Sequence, residues 1–485
     1  MSSPPSPSPT RWFKALRKAR IEDVCLKSGA TACSEVLKRA RAASRSRGTA
    51  QDSFRLAQLE AWVRMLMEHK CDFVDALGRD VHKPRFETVM SELMTVKNEA
   101  LRTISNLKKW MEPQCIERNW ATAFDECLVV NEPLGVVLII GNWTSPLQLC
   151  LVPLVGAIAA GNCVIISPPE TCTHTAVLLH RLIPAYLDNE CFHSAVAAAH
   201  EIPEIIDLKF DHVFFFGDKE NGIKVAQAAA RTLARVTLVL SGKNINTTAR
   251  RIAWARFHNA GQSAVAPNYI LCHVDAKENH LQAFRCALQQ FYGTDPRESR
   301  RFGRIVNEEN LNKAEDQLCR SGKVFIGGQV NEMERYIAPT VLTEVVEFDP
   351  IMQQYVFGPI LPILTVQDAD EAVTFNNSRE RPLCVYAYSS NNKVISKIMN
   401  KTCSGSFCLN DSVTQSVMVG MPFGGVGASG MGSYHGQYSF DAFSHKKSCL
   451  LRTTQIECMT FLRYPPYEDH NPLGVNCTFM LLTYK

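Results

Sequence analysis

Between Leu128 and Ser241, short apolar runs alternate with longer mixed ones, and this alternation restricts the chain to few folds. Val136–Gly141 reads as a buried strand, Leu147–Ala160 as an apolar helix and Asn162–Ser167 as the next strand. The pattern continues through Thr173–Tyr186 (helix), Ser194–Ala199 (strand), Ile202–Leu208 (short helix), His212–Gly217 (strand), Asn221–Arg235 (helix) and Val236–Ser241 (strand). Such alternation implies parallel βαβ units, which receive ligands at the carboxyl ends of their strands. Upstream, between Glu35 and Met111, Leu56, Leu59, Trp62, Leu66, Phe73 and Leu77 recur at three- and four-residue spacing, the pattern of a helical layer packed on a sheet. A second α/β region follows Asn244 and runs to about Asn410. It holds a helix at Leu281–Tyr292, a strand entered through Tyr336–Leu342 and a turn at Phe357–Pro362. Pro422–Gly436 concentrates glycine and must be irregular.

The chain has 485 residues, enough for two or three domains. Hydrophobic residues are 46% and charged residues 21%, as in an ordinary globular protein. A net charge of +4 gives no electrostatic case for a nucleic-acid partner. The 18 cysteines are scattered, with no CxxC pair and no zinc spacing, so we expect reduced thiols, no metal site and a cytoplasmic location. Apolar runs such as Val136–Ile140 are far too short to span a bilayer. Residues 1–35 read as an extension: Met1–Pro9 is Ser/Pro-rich, and Arg11–Ile21 is a basic stretch that reads first as a partly ordered tail, with a membrane-surface helix and a mitochondrial transit segment as the alternatives.

One stretch, Arg256–Tyr269 (RFHNAGQSAVAPNY), carries a specific resemblance. Together with Leu151–Val164, Arg335–Leu342, Phe357–Leu364 and Pro422–Arg452, it resembles class 3 aldehyde dehydrogenases, the B subgroup above all, over residues 36–467. The resemblance implies an α/β, aldehyde dehydrogenase-like fold. On that reading residues 36–243 form a Rossmann-type cofactor domain, 244–415 an α/β catalytic-type domain, and 416–467 a Gly-rich return segment with a small bridging and dimerisation arm. Residues 468–485 are a tail. It also implies NAD or NADP as cofactor, a small aliphatic aldehyde as substrate, and a homodimer or a heterodimer with an active relative. The implied reaction is NAD(P)-dependent oxidation of an aldehyde to a carboxylic acid. A Cys thiolate attacks the carbonyl, an Asn holds the oxyanion and a Glu activates water.

At each of these three positions the resemblance points to a different residue. The nucleophile position is Ala264, the general-base position Val239 and the oxyanion position Thr144. Ala has no lone pair and cannot add to a carbonyl. The cofactor positions are Trp143, Ser167, Gly217, Asp218, Gly222, Tyr355 and Phe357. Among them Ser167 stands for the ribose-contacting Lys, Asp218 for a Ser and Tyr355 for the Glu that holds the nicotinamide ribose. The Gly217/Gly222 spacing alone is a weak signal. An Asp at position 218 would repel a pyrophosphate, though it would also serve as an ordinary helix cap. The connection Ile245–Arg250 is shorter than in relatives. Ser263 and Cys272 are the nearest alternative nucleophiles; Cys272 reads as a core thiol, and His258 and His435 read as structural. Cys477–Met480 has the composition of a prenylation box but is followed by Leu481–Lys485, so we expect no prenyl group. The sequence thus predicts an inactive or severely impaired family member. The alternative is an active aliphatic aldehyde dehydrogenase with a non-standard nucleophile, in the cytoplasm or at a membrane surface.

Overall fold

A computed structural model describes residues 30–116, 126–196, 201, 204–205, 208, 210–216, 236–240, 245–426 and 429–452. The basic stretch Arg11–Ile21, the helix expected at Asn221–Arg235, Gly217, Asp218, Gly222, Cys477 and the tail lie outside these residues, as does most of Ile202–Leu208.

The amphipathic repeat between Glu35 and Met111 forms the helices Ala30–Arg45, Asp52–Glu68, Lys70–Val81 and Met94–Met111. Leu59, Trp62, Leu66, Phe73 and Leu77 are all buried there. The first helix overruns the boundary drawn at residue 35. Cys33 is only 1% exposed and belongs to the core, so the fold begins before the extension was expected to end.

The alternating region forms a four-stranded sheet in the order Phe192–Ser194, Cys163–Ser167, Val136–Ile140, His212–Phe215, all parallel. Its third strand was expected at Ser194–Ala199 but begins two residues earlier. Pairing of Val164 with Phe192 and of Ile166 with Ser194 sets the register, and the Ala195 amide adds a bond to Ile166 O; residues 197–199 of the expected strand lie outside the described ones. The helix Gln148–Ala160 is buried on every side. Glu92 accepts from Leu147 N and Gln148 N at its start, and Arg55 donates to Ala159 O at its end.

The second sheet has seven strands in the order Ser406–Leu409, Cys384–Tyr388, Val236–Leu240, Ile270–His273, Ile360–Val366, Thr340–Thr343, Lys323–Ile326. The first six run parallel and the last is antiparallel. Two expectations change here. Val236–Leu240, read as the last strand of the first α/β unit, hydrogen-bonds between Cys384–Tyr388 and Ile270–His273 in the second. The turn expected at Phe357–Pro362 ends at Pro359, because Ile360 opens a strand.

A third, antiparallel sheet joins Gln114–Cys115, Glu126–Pro133 and Ser444–Leu451. The arm expected within 416–467 is therefore completed by strands more than 300 residues earlier, pairing Ser444 with Pro133 through Leu451 with Glu126. Between Ser416 and Gly436 the described backbone is irregular apart from the end of a 3-10 turn, Thr414–Val417, and a single bridge, Phe423 with Tyr434. Fully buried His435 pins it: Nδ1 lies 3.1 Å from Glu99 Oε2 and Nε2 3.0 Å from Ser416 O, while Gly436 N donates to Glu99 Oε1.

Candidate active site

Helix Ile245–Phe257 delivers the chain into a turn whose backbone is strained at two positions: Asn259 (φ 51°) and Ala260 (φ 52°) are both left-handed. Asn tolerates this conformation; for Ala it costs about 1–2 kcal/mol. Long-range bonds hold it. Asn259 Nδ2 donates to Thr144 O (3.1 Å) and Gln262 O (3.0 Å), and Asn259 N donates to Glu87 Oε2 (2.9 Å). The buried Gln262 amide donates to Asn259 O (3.1 Å) and Arg304 O (2.9 Å) and accepts from Val306 N (2.9 Å). At Gly261 (φ 73°) a Cβ would lie 2.2 Å from Gly358 O, so only glycine fits.

Beneath the turn, the fully buried Arg256 guanidinium donates to Pro267 O (3.0 Å), Val356 O (3.0 Å) and Gly358 O (2.6 Å). Burial pulls its pKa down to about 10, although nearby Tyr355 opposes the shift. Residues 263–266 make a further turn closed by Ala266 N to Ser263 O (3.0 Å). Two tyrosines hold its carbonyls: Tyr355 Oη donates to Ser263 O (2.5 Å) and Ala266 O (3.1 Å), and Tyr386 Oη to Val265 O (2.9 Å). Ala264 is half-buried on this turn and brings no polar atom beyond its peptide group.

The structure brings most of the predicted site residues together. Thr144 is buried, its amide donates to Asn142 Oδ1 (3.0 Å), and its carbonyl is tied to Asn259 in the strained turn. Trp143 meets Phe357 edge-on with ring centroids 5.5 Å apart, and Phe357 packs on Tyr355 at 4.4 Å. Ser167 is buried at the carboxyl end of its strand, where its carbonyl accepts from Gly141 N (3.0 Å) beside the 142–145 turn. The backbone of Val239 lies in the middle of the seven-stranded sheet, in register with Leu271 and Ala387. Gly217, Asp218 and Gly222 lie outside the described residues.

Sequence reasoning missed the residues that support and flank the turn. Burial alone would raise Glu87, but His258 and the Asn259 amide outweigh it and hold its carboxyl below the usual value. His258 Nδ1 is 3.3 Å from Glu87 Oε2, close enough for charge attraction without hydrogen-bond alignment. Phe86 (72% exposed), Met90 (53%) and Trp254 (44%) leave large apolar side chains around this pair, and the Trp254 ring lies 5.6 Å from His258. The four-residue spacings Phe86/Met90 and Trp254/His258 were the available signal. Cys272 is the core thiol expected: it is fully buried, its Sγ points to His273 O, and burial pushes it up to about 11.

A two-sheet α/β architecture with an antiparallel arm thus carries a strained turn resting on a buried arginine, and comparison with known proteins identifies the class of this scaffold. The chain matches the Aldehyde dehydrogenase family over residues 18–449 and belongs to it. Its relatives include class 3 members. It is 44% identical to aldehyde dehydrogenase family 3 member B1 of Homo sapiens over 441 residues, 89% of this chain and 94% of that one. It is also 44% identical to family 3 member B2 of Mus musculus over 444 residues, 90% and 92% of the two chains. Among solved structures, the substrate-bound AldH of Staphylococcus aureus superposes with a TM-score of 0.85 at 34% identity, covering 87% of this chain and 95% of that one. No described helix is long and apolar enough to cross a membrane.

Proposed function

We propose that this chain is a class 3, B-subgroup-like aldehyde dehydrogenase family member that does not oxidise aldehydes. One observation carries the reading: the turn bearing Ala264 is held by bonds from Asn259, Gln262 and Arg256, yet presents only a methyl group. The deficit is therefore one of the reacting atom, in a loop that is itself well held. Loss of a nucleophile costs on the order of 10⁶ in rate in a worked hydrolase case. Loss of an oxyanion donor such as the Asn expected at Thr144 costs about 10²–10³. Loss of a general base, as at Val239, costs roughly 10²–10⁴. These factors do not multiply, since such residues act as a unit.

The same reading weakens the cofactor grip. Where a carboxylate would accept ribose hydroxyls, Tyr355 presents a hydroxyl already given to Ser263 O and Ala266 O. Ser167 is too short to replace a lysine. These residues do not fit a nicotinamide nucleotide. The burial of Cys272 speaks against the alternative of an active enzyme with a non-standard nucleophile. Dimerisation with itself or an active relative, and a cytoplasmic or membrane-surface location, belong to the same proposal.

The test is reduced-nicotinamide formation by purified protein with medium-chain aldehydes and NAD+ or NADP+, run beside the double reversion Ala264→Cys with Val239→Glu. We expect no turnover by the native chain. Native turnover abolished by a thiol-directed family inhibitor would overturn the proposal. Tyr355→Glu should raise nicotinamide-nucleotide affinity, read by calorimetry.

A further inference from the structure

Away from the 259–266 turn, a cavity of about 370 Å³ opens where the helices Ala369–Asn377 and Asn392–Lys401 end. Asn376, Arg379, Arg381, Asn400, Lys401 and Thr402 line it, and among the described residues no carboxylate does. We propose that this cavity binds a small phosphorylated polyol, a ligand with one phosphate and at least one free hydroxyl.

The cations supply the first half of the argument. Arg381 makes no hydrogen bond or ion pair among the described residues. Asp370, an acid that feels the charge of Lys401, is already paired with Lys397 at 2.7 Å. Arg379 is a wall of the cavity rather than a free cation: Nη1 donates to Met352 O (2.7 Å), Nη2 donates to Glu347 O (3.1 Å) and lies 3.8 Å from Glu347 Oε1, and the guanidinium stacks on Phe375 at 4.7 Å. Its Nε is buried without a partner. Phosphate suits the two remaining cations, Arg381 and Lys401, better than a carboxylate does, because it offers more charge and three acceptor oxygens.

Asn376 supplies the other half. It is 3% exposed, its Nδ2 donates to Asn377 Oδ1 (3.2 Å), and its Oδ1 has no partner. What it still lacks is a donor, which a ligand hydroxyl provides. The volume lies within the roughly 300–1,000 Å³ of small-molecule sites, so a phosphate group fills only part of it.

Helix C-termini repel anions, and two of them end here; each is worth about a few-fold in affinity. Their carbonyls are largely capped, by Asn377 Nδ2 on Lys401 O (2.8 Å), Thr402 Oγ1 on Ile398 O (2.7 Å) and Ser378 N on Thr374 O (3.0 Å). Each charge-assisted bond to phosphate is worth about tenfold or more, so the cations prevail.

The experiment is calorimetric titration of the full chain with glycerol 3-phosphate and with inorganic phosphate. We expect saturable one-site binding of glycerol 3-phosphate, weakened at least about 100-fold by Arg381→Ser with Lys401→Ser. Asn376→Leu should erase the preference over inorganic phosphate. Arg320→Ser, which removes a surface cation outside the cavity, should change nothing. No saturable heat with the native chain, a double variant that binds as the native chain does, or an equal loss in Arg320→Ser would each overturn the proposal. A readout independent of the variants is alkylation of Cys403, an exposed thiol at the cavity, against exposed Cys71. Glycerol 3-phosphate should slow the reaction at Cys403 alone; equal rates with and without it would count against the site.

Discussion

Two irregular segments, Arg256–Pro267 and Ser416–Gly436, are held by buried polar groups in different ways. In the first the load is shared. Asn259 O accepts from both Gln262 N and Gln262 Nε2, Ser263 O from Ala266 N and Tyr355 Oη, and Gly358 O from Arg256 and Ile360 N. In the second it is concentrated: one carboxylate, Glu99, serves both His435 Nδ1 and Gly436 N. A shared arrangement tolerates loss of one partner; a concentrated one does not. The turn can therefore keep its shape although Ala264 brings it no side-chain bond.

This contrast can be broken by mutation. Glu99→Ala should be the most damaging change, leaving two buried donors unpaired at about 1–3 kcal/mol each; denaturant titration should show the largest fall in midpoint. Gln262→Leu should cost less, about 1–3 kcal/mol, because Asn259 O retains its bond from the residue-262 amide and Val306 N is the main buried group left unpaired. If Gln262→Leu proves worse than Glu99→Ala, the distinction fails.

A pH scan sharpens the comparison. Glu87 has a folded-state value below the usual 4.5, so it binds its proton less readily when folded. Its stabilising contribution is full above about pH 4.5 and is lost as pH falls through the lower folded value. Glu87→Gln should flatten the acid side of the curve of unfolding midpoint against pH, with little change at neutral pH. Tyr355→Phe should have the smallest effect, about 1 kcal/mol or less, since Ser263 O keeps its bond from Ala266 N. A larger thermal shift would mean that the tyrosine carries the turn.

Local periodicity revealed much of the fold. Thr173–Tyr186 is helical over the expected residues and Val136–Ile140 is a fully buried strand. Pairing partners were not legible in the same way. Nothing in Val236–Leu240 says which sheet it joins, because an apolar parallel strand suits either. The arm needs Glu126–Pro133 to find Ser444–Leu451, and local pattern carries no such information. At the site, resemblance located Ala264, Thr144 and Phe357, whereas Glu87 and Tyr386 reach the turn from 172 and 121 residues away. A carboxylate or a tyrosine on an amphipathic segment reads as surface or core until its partner is known.

The helix Gln148–Ala160 has a consequence for biosynthesis. It has no polar face, and its cover includes the segment Gln437–Ala442, against which Gly156 packs at Ser439. Asn162 Nδ2 also bonds to Phe443 O, 281 residues downstream. On a ribosome adding about 5–20 residues per second, the helix waits about 15–60 s for its last covering strip to emerge. Throughout that interval the nascent chain displays its most apolar segment, which is a natural target for a holdase chaperone.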